Sequence, residues 1–203
     1  MMIIVMGTFF TFHRFGMLHK GDEETWKTML KRYQSETNAQ EKSKLLQGLA
    51  WIDQPWILER FIRLAKNETI VRRQDYFTCL RYIGQNPIGM PLVWNFLRDE
   101  WPYLVERFSL NDRYLGRMPQ YLTHSFSSQF RLNEIKDFFK KYPDAGAGME
   151  IKNLLHLQKH LLIKTFIQIG KRSRLQAIEK IQNNIKWLEN HEETIGKWLH
   201  NNS

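Results

Sequence analysis

The sequence predicts an all-α protein, an α-solenoid in which antiparallel helix pairs stack into a superhelix of the HEAT or armadillo kind. Apolar residues recur at helical spacing through nearly the whole chain. The breaks between these stripes are short and polar, as expected between antiparallel neighbours. Alternating β-branched runs and Asn-Gly or Asp-Gly turns, which indicate hairpins, are absent from the sequence. No strict repeat is visible, so the solenoid is predicted from spacing alone.

The first helix is predicted from apolar residues at i, i+3, i+4 and i+7, which are Trp26, Met29, Leu30 and Tyr33. A second helix has its apolar stripe at Leu45, Leu49 and Ile52. It follows the pattern Asn38-x-x-Glu41, in which the asparagine side chain can accept from the free amides of the first helical turn. The chain therefore begins its regular structure as two consecutive helices.

Proline and glycine mark the boundaries of the next helices. Asp53 and Pro55 open a third helix, because proline is tolerated in a first turn. A fourth helix stops at Gly84 and Asn86-Pro87, and Pro102 breaks or kinks the pattern that follows. Further helices are predicted near 112–125, 131–141, 150–169, 173–190 and 192–201. The Gly-rich segment 142–148 between them is predicted to be a connector or a hinge.

Composition indicates a soluble globular protein, with 42% hydrophobic and 25% charged residues. Cys79 is the only cysteine, which excludes an intramolecular disulfide and a cysteine-rich zinc knuckle. The apolar opening, residues 1–12, is shorter than the roughly 20 residues that a membrane-spanning helix requires. It also lacks a clear positive region and cleavage site, so we expect neither a membrane span nor a signal peptide here.

The net charge of +9 raises the question of nucleic-acid binding, because lysine and arginine neutralise phosphates. Residues 151–203 carry 9 basic and 4 acidic side chains, and residues 1–150 carry 21 and 17. The basic excess is therefore spread along the chain rather than concentrated in one stripe. We expect solvated helix faces and no nucleic-acid partner.

A series of unusual residues, in order along the chain, carries a resemblance to a known family. Its first part comprises Gly21, Trp26, Trp56, Arg72, Gln74, Asp75, Asn86-x-x-Gly89, Trp94-Asn95-Phe96 and Trp101. Its second part comprises Leu115-Gly116-Arg117, Phe126-Ser127, Phe138-Phe139, Ala145-Gly146-Ala147-Gly148, the run from Ile181 to Leu188, and Trp198-Leu199. In this order the chain resembles the C-terminal helical domain of M1 zinc aminopeptidases, nearest to the membrane alanyl, aminopeptidase Q and thyrotropin-releasing-hormone-degrading group.

The resemblance implies a role in covering and recognition rather than in chemistry. In the family this domain is a helical bowl that encloses the substrate chamber of the catalytic domain and helps the enzyme to fold. The implied partners are an M1 catalytic domain, in cis or in trans, peptides and, as in the family, a second copy of the chain. Zinc would belong to the full-length enzymes and not to this chain. The family is extracellular, plasma-membrane or endoplasmic-reticulum lumenal.

Two stretches depart from the family pattern. Residues 1–16 do not match what precedes this domain, and residues 149–170 look like an insertion after the Gly-rich loop. We therefore expect an unmatched segment at 1–16 and an aminopeptidase C-terminal-like domain at 17–203 that contains the insertion. A truncated or alternative product, without the zinc site, would explain both departures. Physically, most of the matching aromatic positions are predicted to pack inside the domain.

One spacing imitates the zinc site of the family. His156 and His160 lie four residues apart on one predicted helix face, and Glu179 lies 19 positions further on. In the family motif a glutamate beside the first histidine deprotonates the zinc-bound water, and here Leu157 occupies that position. The motif that binds the substrate amine is also missing. We therefore predict no metal site and no catalytic residue, with His156, His160 and Glu179 as a decoy.

Three further motifs have simple structural interpretations. His191-Glu192-Glu193-Thr194 lacks a second histidine and is predicted to be a polar helix junction. Ser127 and Ser128 lie near His124, but without a nucleophile elbow we expect a serine to cap a helix. Asn67-Glu68-Thr69 and Asn201-Asn202-Ser203 fit the N-glycosylation pattern, and of these we single out Asn67 as an acceptor.

Two other functions remain alternatives. A free-standing basic helical adaptor would bind an acidic protein or nucleic acid, and its binding would depend strongly on salt. A self-sufficient metallopeptidase would use His156 and His160 and would contain stoichiometric zinc. The resemblance assigns no peptide-contacting residue in this chain.

Overall fold

A computed structural model describes residues 22–110, 112–145 and 159–202, with side chains from residue 171 onwards in the last range. Within these residues the structure is all-helical, which confirms the predicted fold class; solenoid stacking stays a prediction. The nine α-helices are α1 (Glu23–Ser35), α2 (Ala39–Leu49), α3 (Pro55–Leu64), α4 (Tyr76–Gln85), α5 (Gly89–Asp99), α6 (Trp101–Phe108), α7 (Arg113–Thr123), α8 (Gln129–Lys141) and α9 (Lys159–Asn202). A 3-10 turn at Arg73–Asp75 precedes α4. The chain divides into two compact units after Phe96.

The N-terminal unit is organised around aromatic side chains of α1. Trp26 and Tyr33 are buried, as their spacing predicts, whereas Met29 and Leu30 are half-buried. The Trp26 Nε1–H donates to the carbonyl oxygen of Leu49 at 3.0 Å, so the indole is satisfied although it is buried. Its ring also lies edge-on to Phe61, with ring centroids 5.5 Å apart. Trp26 therefore links α1 to residues of both α2 and α3.

The predicted helix starts are confirmed with one adjustment. The Asn38 side chain accepts from the backbone amides of Gln40 and Glu41 and caps α2. Pro55 is the first residue of α3, where its missing N–H leaves no hydrogen bond unmade. The N-cap of α3 is Gln54, whereas Asp53 lies one residue earlier and does not cap the helix.

Asn86 and Gly89 have a specific structural role in the family pattern. The buried Asn86 side chain donates to the carbonyl oxygens of Ala50 and Ile52, both at 3.0 Å. Its Oδ1 atom accepts from the amide of Ile88. A Cβ atom at Gly89 would collide with the backbone oxygen of Ile83, so this position requires glycine. The Asn-x-x-Gly pattern thus fixes the turn from α4 to α5.

The C-terminal unit contains the predicted break at Pro102. Helix α5 ends at Asp99, and α6 begins at Trp101 with Pro102 in its first turn. The buried Trp101 ring packs edge-on against Phe138 of α8, with centroids 5.2 Å apart. Along the chain, α6 packs against α7. The aromatic positions Trp101 and Phe138 are therefore core residues, as predicted.

The last helix differs from the prediction. Three helices were expected over 150–201, but α9 is continuous from Lys159 to Asn202. Gly170 costs only about 1 kcal/mol inside a helix, and it does not end this one. Helix α9 also runs through His191–Thr194, which contain neither proline nor glycine, so the predicted junction there is wrong. No helix in the described residues is long and apolar enough to cross a membrane.

Candidate functional site

The part of α9 that comes first among its described side chains is anchored within the C-terminal unit. Helix α9 packs against both α7 and α8, and Ala177 and Ile181 are buried there. The Asn184 side chain donates to the carbonyl oxygens of His124 at 2.8 Å and Phe126 at 2.9 Å. These carbonyls lie beyond the end of α7, where helix geometry leaves oxygens without intrahelical partners. Asn184 therefore ties α9 to the α7–α8 connection.

A second anchor lies ten residues earlier in α9. The Arg174 guanidinium donates to the carbonyl oxygen of Ala145 at 3.0 Å, which holds the start of the Gly-rich segment. Burial lowers the pKa of Arg174 below its ordinary value, and the nearby charge of Asp144 opposes this shift. The residues 146–148 of the predicted hinge lie outside the described part of the chain.

The end of α9 presents a different surface. Every residue from 189 to 202 is exposed. Four large apolar side chains near this end are exposed, Trp187 by 52%, Ile195 by 39%, Trp198 by 63% and Leu199 by 55%. At 100° per residue they fall within an arc of about 120° on one side of the helix. We call these four residues the α9 apolar face.

Polar and charged residues occupy the opposite side of the same segment. Lys197 forms an ion pair with Glu193 at 2.6 Å, one turn apart along the helix. His191 lies within the same arc as the α9 apolar face, and its ring stacks on Trp187 with centroids 4.9 Å apart. Its Nδ1–H donates to the carbonyl oxygen of Trp187 at 2.7 Å. The end of α9 is thus an amphipathic helix with its apolar side in solvent.

A charged depression lies between the end of α5 and α8, with a volume of about 250 Å³. Glu134 lies at its wall and accepts from both Arg98 and Arg131. Because two guanidinium groups hold this carboxylate, the cluster has the character of a structural ion-pair network. Its lining also contains Asp137 and Tyr142, and it has no serine, cysteine or histidine among its lining residues.

The predicted decoy site falls largely outside what is described. His156 lies outside the described residues, and the side chain of His160 does as well. Glu179 lies on α9 and is exposed. Among the residues that the structure describes, no cluster of three histidine, cysteine, aspartate or glutamate residues could hold a metal ion. The assignment of these three residues as a decoy stays a prediction.

The serine motif is a helix cap, as predicted. Ser128 is the N-cap of α8, and its Oγ atom accepts from the backbone amide of Arg131. The His124 ring lies 2.6 Å from the carbonyl oxygen of Tyr121, to which its Nδ1–H donates. The Ser128 hydroxyl and the His124 ring therefore both form hydrogen bonds with backbone groups close to them in the chain.

Asn67 lies at the surface, where a glycosylation acceptor must lie. Its Oδ1 atom accepts from the backbone amide of Thr69 at 2.9 Å and from the Thr69 hydroxyl at 2.8 Å. Modification of Asn67 stays a prediction.

Cys79 is buried, and burial raises the pKa of its thiol far above the ordinary value. This side chain is a core residue rather than a nucleophile.

The two contrasting parts of α9 are not predicted by the spacing of its residues. Asn184 appeared in the sequence only as a member of a family motif, and the pair of carbonyl oxygens it reaches is set by the tertiary fold. Most of the matching aromatic positions were predicted to pack inside the domain. Trp187, Trp198 and Trp56 are exceptions, because their side chains are exposed. The amphipathic spacing near the end of α9 was the available signal, but spacing does not show which elements cover a helix face.

The described residues, with their anchored last helix, form an all-helical domain. The family model described as ERAP1-like C-terminal domain matches residues 12–157. The chain belongs to this family, and its relatives are aminopeptidases of the M1 family.

Aminopeptidase A from Gloydius brevicauda is 40% identical over 189 residues, which are 93% of this chain and 18% of that protein. Glutamyl aminopeptidase from Homo sapiens is 36% identical over 93% of this chain and 17% of that protein. Aminopeptidase N from Canis lupus familiaris is 29% identical over 91% of this chain and 17% of that protein. The chain thus spans less than a fifth of the length of these relatives. The family prediction is confirmed. Among these three relatives, aminopeptidase A and glutamyl aminopeptidase share more identity with this chain than aminopeptidase N does.

Proposed function

We propose that this chain acts as the non-catalytic C-terminal domain of an M1 zinc aminopeptidase. In this function it covers the substrate chamber, supports folding of the enzyme and contributes to peptide recognition. The observation that carries the proposal is the family match, together with the small share of each relative that the chain spans.

Peptide hydrolysis of this type needs a polarised zinc-bound water, a carboxylate base beside the first ligand and an acidic anchor for the substrate amine. In this sequence Leu157 stands where the base would be required. We assign the zinc and these groups to the catalytic region of the full-length enzymes. In this proposal the catalytic region carries out the hydrolysis, and this chain supports it without contributing catalytic residues.

The partner in this proposal is the catalytic region of an M1 aminopeptidase, in cis or in trans, and peptides are secondary ligands. The alternative, a basic adaptor for an acidic protein or nucleic acid, is not favoured, because the matching family and the relatives are aminopeptidases.

A chimera tests the proposal. In aminopeptidase A of Gloydius brevicauda, the region that matches this chain would be replaced by residues 17–203. We expect the chimera to fold and to hydrolyse a fluorogenic aminoacyl amide, while the free chain with added zinc shows no turnover.

A parent enzyme that simply lacks the matched region is the control. Turnover by the free chain that a His156→Ala, His160→Ala double variant abolishes would contradict the proposal. So would a chimera no more active or soluble than the truncated control.

A further inference from the structure

We infer that the α9 apolar face is the surface by which this chain binds the catalytic region of an M1 aminopeptidase. The inference rests on the proposed function and names the contact residues for its main partner. It starts from an unusual exposure: Trp198 and Leu199 are more than half exposed, and Trp187 is half exposed. Tryptophan side chains bury large areas when they find a partner and are enriched at the centres of interfaces.

The neighbouring charges indicate what kind of surface the partner presents. From residue 186 onwards α9 carries two lysines and three glutamates, so this segment has no basic excess. Helices that lie on membranes carry lysine and arginine on their polar face, and nucleic-acid contacts need the same residues. An apolar face with a mixed-charge border is the anatomy of a protein interface, with an apolar core and a polar rim.

The relatives indicate which protein supplies that surface. They are more than five times as long as the matched region, and the matched family is a C-terminal domain. A domain that is joined to a larger chain has an interdomain surface, which is exposed when the domain stands alone. The anchored part of α9 is used within its own unit, whereas residues 189–202 are exposed in the part of the chain that the structure describes and can make such a contact.

The test compares the same variants in the free chain and in the chimera described above. Alanine keeps helical propensity high, so Trp198→Ala and Trp198→Ala/Leu199→Ala remove the contact without breaking α9. We expect no change in the melting temperature of the free chain. In the chimera we expect the melting temperature to fall by several degrees, with loss of peptidase activity at elevated temperature.

Phe130→Ala is the matched control, because Phe130 lies on α8 of the same unit and is 69% exposed. Phe130→Ala should change the melting temperature of neither the free chain nor the chimera. Equal stability of the parent chimera and its Trp198 variants would overturn this inference and leave the proposed function standing. An inactive parent chimera would overturn both.

Two other coverings of the face have their own signatures. If another part of this chain covers it, Trp198→Ala will lower the melting temperature of the free chain. If a second copy covers it, light scattering will show a dimer that the double variant dissociates. Either result would overturn the inference, whereas a monomer whose melting temperature is unchanged by the variants supports it.

Discussion

The two described parts of α9 lie on one continuous helix but present opposite surfaces. Between Arg174 and Asn184 the helix is fixed by buried apolar contacts and by side chains that reach loop carbonyls. From Trp187 onwards its apolar residues lie in solvent. The same helical pattern therefore stabilises the domain in one part and, in our proposal, recognises a partner in the other. Amphipathic spacing alone does not distinguish these two uses.

The largest difference between the two parts should appear for isoleucine. Ile181 is fully buried, and Ile181→Ala should lower the free energy of unfolding by about 3 kcal/mol, because it removes buried carbons and leaves a cavity. Ile195 lies on the exposed part, and Ile195→Ala should change the free energy by less than about 0.5 kcal/mol. Urea unfolding of both variants measures the difference. Equal losses would show that the exposed end is also packed in the free chain.

Replacing asparagine residues in the two parts of α9 should give a smaller difference in the free energy of unfolding. Asn184→Ala should cost about 1 kcal/mol, since two hydrogen bonds to the α7–α8 connection are lost and water can reach part of the site. Asn202 also donates to a carbonyl oxygen, that of Trp198, but within the exposed end of the helix. Asn202→Ala should therefore be nearly neutral in the same urea experiment. A neutral Asn184→Ala would mean that this anchor does not position α9.

The smallest effect is expected when the exposed part is removed. A chain that ends at Asn190 loses Ile195, Trp198 and Leu199 but none of the buried residues of α9. Its free energy of unfolding should stay within about 0.5 kcal/mol of the parent value, because the lost residues are exposed. Calorimetry of the two chains provides the check. A clear loss of stability would mean that the end of α9 belongs to the core.

Much of the fold could be predicted from local sequence, because local chemistry determines it. The Asn38 cap, the start at Pro55 and the break at Pro102 depend on a few neighbouring residues. Burial of Trp26 and Tyr33 follows from their spacing on one helix. These features need no knowledge of which elements meet in space.

The candidate site was harder to predict, because its features depend on tertiary contacts or on their absence. Trp187 and Trp198 have the same residue type and helical context as buried tryptophans, and only the surrounding elements decide whether they are covered. Continuity of α9 was missed for a different reason. Gly170 and the polar run after Asn190 lie at the predicted breaks between helices, where they weaken a helix without ending it.

A side-chain footprint of Trp198 and Leu199 tests most directly whether the end of α9 meets the catalytic region. Hydroxyl-radical labelling with mass spectrometry would compare the free chain with the active chimera, using Phe130 as the internal reference. We expect Trp198 and Leu199 to be labelled readily in the free chain and protected in the chimera, while Phe130 is labelled equally in both. Equal labelling of Trp198 in the two proteins would contradict the claim that this end of α9 is the surface that meets the catalytic region.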